Sequence, residues 1–193
     1  AFFCHVPGLY VVAPSTPYDI KGLLRASLRS PDPVLFLEHK KAYRLIKGEA
    51  PERDYVVPIG KADIKRPGRD LTVISYGLML HEALRAAEMV APEGIDAEVV
   101  DLRTLAPLDK ETILGSVKKT SKAVIVHEDN KTGGLAGEIA AIIAEEAFEY
   151  LDGPIARVCA PDVPGVPFSH PMQDFFMPNA DKIAAAIRQL AAY

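Results

Sequence analysis

The chain has 193 residues, 49% of them hydrophobic and 25% charged, an ordinary globular mix that suits one large domain or two small ones. A net charge of -4 excludes the basic footprint of a nucleic-acid binder or of a protein held on an anionic membrane. No apolar run approaches the roughly 20 residues that cross a bilayer, and Cys4 and Cys159 are too far apart for a CxxC zinc or redox motif, which leaves them as reduced thiols.

In chain order, Ala1-Phe2-Phe3-Cys4 opens without a polar lead-in, which predicts the back part of one domain followed by a complete second one. Leu9 to Ala13 is a short β-branched run stopped by Pro14 and reads as a buried strand. Thr16 is placed to cap a helix whose first position suits Pro17, with Ile20, Leu23, Leu24 and Leu28 at helical spacing. Ser30-Pro31-Asp32-Pro33 ends that helix, and Val34 to Leu37 is the next strand. Residues 39–69 are richer in basic side chains, glycine and proline. Their later part, 46–69, reads as an extended linker with one or two minor strands, a short edge strand over Tyr55 to Ile59 among them.

From Asp70 onward the pattern is regular. Strands are predicted over Leu71 to Ser75, Ala97 to Leu102, Ala123 to Val126 and Ile155 to Val158. Helices are predicted from Leu78 to Met89, after an Asp109 cap, from Ala136 to Tyr150, and after Asn179 or Asp181. Strands alternating with helices predict an α/β fold with a mostly parallel sheet.

Ligands of open α/β sheets bind beyond the carboxyl ends of the strands. Those ends carry Tyr76-Gly77, Arg103-Thr104-Leu105 and His127-Glu128-Asp129-Asn130. Gly133-Gly134, ahead of a helix start, offers amides to an anion, although the string is neither GxGxxG nor a Walker loop. His127, Glu128 and Asp129 are consecutive, so their side chains alternate in direction on an extended backbone and make a poor metal set. His127 reads as a hydrogen-bonded histidine that organises its turn, with acid–base catalysis as the alternative. His5, His39, His81 and His170 have no close partner in sequence.

Several long strings now carry a family resemblance. His5-Val-Pro-Gly-Leu-Tyr-Val-Val-Ala-Pro-Ser-Thr-Pro-Tyr-Asp-Ile-Lys-Gly-Leu-Leu24, Asp32-Pro-Val-Leu-Phe-Leu-Glu38, Tyr43-Arg44, Pro58-Ile-Gly-Lys-Ala62, Thr72-Val-Ile-Ser-Tyr-Gly77, Asp101-Leu-Arg-Thr-Leu-Ala-Pro-Leu-Asp109 and Thr132-Gly-Gly134 stand in order along the chain. Together they resemble the β subunit of thiamine-diphosphate-dependent 2-oxo acid dehydrogenases, the decarboxylase component for pyruvate, branched-chain 2-oxo acids or acetoin. The resemblance implies the later part of a pyrimidine-binding domain (1–45), the linker (46–69) and a transketolase C-terminal-like domain (70–193). It implies an α2β2 assembly with an α subunit, thiamine diphosphate and magnesium held largely outside this chain, and no catalytic or cofactor-binding residue within it. The glutamate and histidine that serve the cofactor in the family have no counterpart here, so the chain alone is expected to be inactive.

Two further sites are implied by the same resemblance. A structural potassium ion would sit at Ser27, Leu28, Ser30 and Asp32, with a simple helix cap and turn as the competing reading. Glu149, Asp152 and the carboxylate of Tyr193 would dock the basic subunit-binding domain of the dihydrolipoyl acyltransferase, with a solvated acidic face as the alternative. The expected location is the cytoplasm, or the mitochondrial matrix in a eukaryote. A non-catalytic docking module and another transketolase-like thiamine-diphosphate enzyme are the other functional readings.

Overall fold

The computed structural model describes residues 1–193, which build two sheets. The first 45 residues supply strand β1 (Tyr10–Val12), helix α1 (Pro17–Arg29), strand β2 (Val34–Phe36) and the single turn of α2 (Ala42–Leu45). Thr16 caps α1 by accepting the Asp19 N–H at 3.2 Å, and Pro17 follows it, as their order in the sequence requires. The remaining elements are β3 (Asp63–Arg66), β4 (Leu71–Ser75), α3 (Leu78–Val90), β5 (Ala97–Asp101), β6 (Thr104–Ala106), α4 (Lys110–Thr120), β7 (Ala123–Asn130), α5 (Leu135–Glu146), β8 (Ala156–Ala160), α6 (His170–Phe176) and α7 (Ala180–Ala191).

The larger sheet has the order β3-β5-β4-β7-β8, with parallel pairing throughout except at the β3 edge, which runs antiparallel to β5. Helices cover both faces. Leu71, Val73, Val124 and Val126 point to the face covered by α3 and α7, whereas Ile74, Ala123 and Ile125 point to the face covered by α4 and α5. Side chains alternate along a strand, so burial on both sides explains why Ala123 to Val126 of β7 reads as an unbroken apolar run and why even Thr72 and Ser75 of β4 are buried. The smaller sheet, β2-β1-β6, pairs β1 parallel to β2 and antiparallel to β6.

Four expectations need adjustment. No strand forms over Tyr55 to Ile59; Val57 is instead buried with Val12 and Leu23 under α1. The strand within 46–69 is β3, which joins the larger sheet and thus contributes to the unit that follows the expected linker. β7 runs on through Asn130, so His127 stands on a strand rather than in a turn. Helix α5 stops at Glu146, because Ala147 leaves helical geometry at φ -143°, and a separate 3-10 turn covers Phe148–Tyr150.

Candidate functional site

The carboxyl ends of β4, β5 and β7 meet the β1–α1 loop, and buried polar side chains including Ser15, Asp19, Asp101 and His127 lie there. His127 is fully buried, and its Nε2 accepts the Ala136 N–H at 3.0 Å. An acceptor at Nε2 puts the imidazole hydrogen on Nδ1, which finds no partner. Burial holds His127 below the ordinary histidine value, so the neutral ring that this bond needs is the favoured form. Gly134 makes room for the ring: a Cβ there would lie 2.7 Å from His127 Cε1 and 2.2 Å from Asn130 O. The first turn of α5 is therefore capped by a side chain from the neighbouring strand. His127 thus takes up the Ala136 amide in the first turn of α5, two residues beyond Gly134.

A charge cluster lies beside it. Asp19 and Asp101 are completely buried. Asp101 Oδ1 accepts from Ser15 Oγ (2.8 Å) and from the Arg103 amide (3.2 Å), and Ser15 Oγ in turn accepts the Gly77 amide at 2.9 Å. Lys65 Nζ is 3.1 Å from Asp19 Oδ2 and 2.7 Å from Asp63 Oδ2. Arg103 reaches Asp19 with Nε and Asp63 with Nη2, each at 2.7 Å. Its backbone lies at φ 56°, a conformation uncommon outside glycine, which brings its amide and its guanidinium into the same cluster. Burial, reinforced by the neighbouring Asp19 carboxylate, pushes Asp101 up to about 7. His81 Nε2 donates to Ser15 O at 2.7 Å, and His39 lies 3.0 Å from the Glu128 carboxylate, which raises its affinity for a proton. Both histidines thus have partners remote in sequence. Arg103 gave one signal in the sequence, its position at a strand end, whereas Asp101, Asp19, Lys65 and Asp63 gave none because their elements converge only in the fold.

An open cleft of about 790 Å³ lies beyond Asn130, lined by Phe2, His5, Asp129, Thr132, Gly133 and Asp162 among others. Its side-chain carboxylates, Asp129 and Asp162, repel a diphosphate, and no group of three or more His, Cys, Asp and Glu side chains is arranged to hold a metal ion. The residues present do not fit the diphosphate–magnesium end of thiamine diphosphate.

Ser27, Leu28, Ser30 and Asp32 lie at the end of α1 and the turn after it. There the Ser27 carbonyl accepts the Ser30 N–H at 3.2 Å and Ser30 Oγ accepts the Asp32 N–H at 3.2 Å. Glu149, Asp152 and Tyr193 are all exposed. Asp152 shares a groove with Arg69, Lys119 and Lys122, while Tyr193 lines a separate one with Lys131 and Arg157.

The description of the transketolase C-terminal domain matches residues 60–183, and that of the transketolase pyrimidine binding domain matches residues 1–46. The chain belongs to the transketolase C-terminal domain family. Among relatives of this family, the 2-oxoisovalerate dehydrogenase subunit beta of Bacillus subtilis (strain 168) is 56% identical over 193 residues, 100% of this chain and 59% of the relative. The acetoin:2,6-dichlorophenolindophenol oxidoreductase subunit beta of Cupriavidus necator is 51% identical across 97% of this chain and 55% of its own length. The pyruvate dehydrogenase E1 component subunit beta of Bacillus subtilis is 47% identical across 97% and 57%. A solved structure described as a split gene transketolase, inactive beta4 tetramer, matches with a TM-score of 0.83 at 25% identity, covering 98% of this chain and 60% of that one. The chain thus spans a little over half the length of these relatives.

Proposed function

We propose that this chain is part of the β subunit of a 2-oxo acid dehydrogenase decarboxylase component, the enzyme that oxidatively decarboxylates a 2-oxo acid and reductively acylates a lipoyl group. The observation that carries this reading is the 56% identity to the 2-oxoisovalerate dehydrogenase β subunit over all 193 residues, which runs through both sheets. Family membership implies thiamine diphosphate, and in this reading its diphosphate is held by other segments or by the α subunit; the Asp129 and Asp162 carboxylates in the cleft support that reading. This portion serves assembly with the α subunit and docking to the acyltransferase core. Its expected compartment is the cytoplasm or a mitochondrial matrix; no helix is long and apolar enough to cross a membrane.

The test is co-expression of the β chain, carrying residues that align with the full length of its relatives, with its α subunit. Thiamine-diphosphate-dependent decarboxylation is then followed with an electron-accepting dye, comparing branched-chain 2-oxo acids with pyruvate. Turnover by the assembled pair and none by the 193-residue chain is the expected result. Absence of turnover with retained binding to an acyltransferase core would instead favour a non-catalytic docking module. The match to a tetramer described as inactive gives that second reading its support.

Two finer assignments belong to the same proposal. Carbonyls at Ser27, Leu28 and Ser30 with the Asp32 carboxylate form a seat for potassium, so KCl should raise the melting temperature above that in equimolar NaCl, and Asp32→Ala should abolish the difference. Equal melting in both salts would leave the turn a simple helix end. Glu149, Asp152 and the Tyr193 carboxylate dock a basic partner domain. Because Lys119 and Lys122 stand beside Asp152, the Asp152→Lys substitution should weaken that binding by roughly tenfold or more. Unchanged affinity would remove Asp152 from the interface.

A further inference from the structure

The two edges of the larger sheet are finished differently. β3 closes one edge with Asp63, Lys65 and Arg66, charged side chains tied to Arg103, Asp19 and Asp96 that deter a further strand. β8 closes the other with Ala156-Arg-Val-Cys-Ala160, where Arg157 is the only charge. The ladder fixes which backbone groups β8 turns outward. Thr72 N donates to Lys122 O at 2.8 Å, and Lys131 N donates to Ala160 O at 3.0 Å. With the parallel registers of β4–β7 and β7–β8, these bonds put the amides and carbonyls of Ala156, Val158 and Ala160 on the β7 side and those of Arg157 and Cys159 on the open side. No amide or carbonyl outside the sheet bonds to the backbone of either residue.

The side chains of these two residues leave the edge clear. Arg157 bends back, its Nη1 donating to Lys131 O at 3.3 Å, and Cys159 Sγ lies 3.6 Å from His127 Nε2. On the other face of the strand, Ala156 and Val158 border a groove of about 360 Å³ that they share with Ala186, Gln189, Leu190 and Tyr193. An edge with unbonded amides and carbonyls and an apolar groove beside it accepts a further strand.

We propose that β8 is the pairing edge of a two-fold dimer of this chain, with Val158 on the axis and the larger sheets of both copies continuous through it. The occupant is a second copy because the strand suits itself. Antiparallel pairing about Val158 sets Arg157 opposite the second copy's Cys159 and Ala156 opposite its Ala160. Arg157 and Cys159, the residues whose backbones turn outward, then exchange both hydrogen bonds. The two Val158 side chains meet at the non-hydrogen-bonded position, where Cα atoms come within about 4.5 Å, and fill the groove from both sides. Centring the axis on Arg157 instead sets two guanidinium groups opposite each other, a repulsive pair. Pairing β8 with the β3 edge of another copy meets the charges of that edge and propagates, whereas the two-fold contact closes on itself.

Sedimentation velocity on the full chain tests the pairing, in a Phe168→Ser, Phe175→Ser background that removes those exposed phenyl groups as a competing route to association. The expected result is a concentration-dependent dimer. Arg157→Pro deletes an outward amide and spares the β7 ladder, so the dimer dissociation constant should rise roughly tenfold or more, while Arg157→Ala, which keeps the amide, should change it little. Register is read by cross-linking with Cys4 and Cys159 changed to serine. Val158→Cys should form an intermolecular disulfide under copper–phenanthroline oxidation, and Ala156→Cys should not, because position 156 faces Ala160 of the second copy rather than its own counterpart. A monomer in the serine background would overturn the proposal and leave the edge to a strand of another protein. A dimer indifferent to Arg157→Pro, or Ala156→Cys cross-linking as readily as Val158→Cys, would overturn it too. If Arg157→Pro fails to fold by circular dichroism, the cross-linking pair decides.

Discussion

At the scale of single residues, a histidine here does the work usually left to serine or aspartate. His127 caps α5 through an imidazole that must stay neutral, and burial keeps it so. The unfolded chain takes up a proton on this ring at higher pH than the folded one. The contribution of His127 is therefore full above about 6.5 and is lost as pH falls below it. The expected outcome is a urea midpoint that drops on acidification, with a smaller drop in His127→Gln, whose amide oxygen accepts the same N–H without titrating. Gly134→Ala should destabilise the fold by about 1–3 kcal/mol in chemical denaturation, because the added methyl meets the Asn130 carbonyl and the His127 ring at once. The caps at Thr16, Asp109 and Asn179 were readable from sequence because each bonds an amide within three residues. The role of His127 was not, since its partner Ala136 lies on another element. The partners of Asp101 were hidden for the same reason: Ser15 and Lys65 are remote in sequence.

Elements were legible in proportion to their burial. β4, β5 and the first half of β7 are buried on both faces and rich in β-branched residues, and α7 buries Ile183, Ala184, Ile187 and Leu190 along one stripe, so the sequence pattern located them. β3 escaped notice because it is an edge strand with the sequence Asp-Ile-Lys-Arg, whose charged side chains serve the junction rather than a core. β6 is three residues long, and α6 follows a proline-rich stretch and buries only Phe176. The end of α6 depends on its successor: Lys182 of α7 donates to the carbonyls of Asp174 (2.7 Å), Phe175 (2.6 Å) and Met177 (2.7 Å). Lys182→Met removes those donors, and hydrogen exchange should show faster opening of α6 while the amides of α7 stay protected. Asn179→Ala removes the acceptor for the Lys182 amide at 3.0 Å and should cost about 1 kcal/mol in thermal or urea unfolding. On α1, Leu23 is fully buried against Val12 and Val57, and Leu23→Ala should cost about 2–5 kcal/mol by the same measurement.

On the scale of the whole molecule, the surface is more apolar than a free monomer needs. Phe168 is 100% exposed and Phe2 91%, and Val166, Met172 and Phe175 are exposed around the segment that leads into and through α6. Apolar groups held in water on that scale favour association. Light scattering of the isolated chain should show self-association that falls when Phe168 and Phe175 are both changed to serine. A monodisperse monomer across the working concentration range would mean these side chains are tolerated in water. Two layers of helices on a parallel sheet were foreseeable from the alternation of strands and helices. The way the two sheets grip each other was not, because that grip uses polar side chains and a three-residue strand, neither of which leaves a periodic trace.

The strand β6 has a consequence for anyone who wishes to recombine this chain with a relative. It follows Asp101 in the larger unit, yet it completes the smaller sheet by pairing with β1. A chimaera joined within residues 46–62 would graft a foreign β6 onto β1, so the crossover that preserves both surfaces is not a point in the loop but a pair of exchanges, one in the loop and one at residues 104–106.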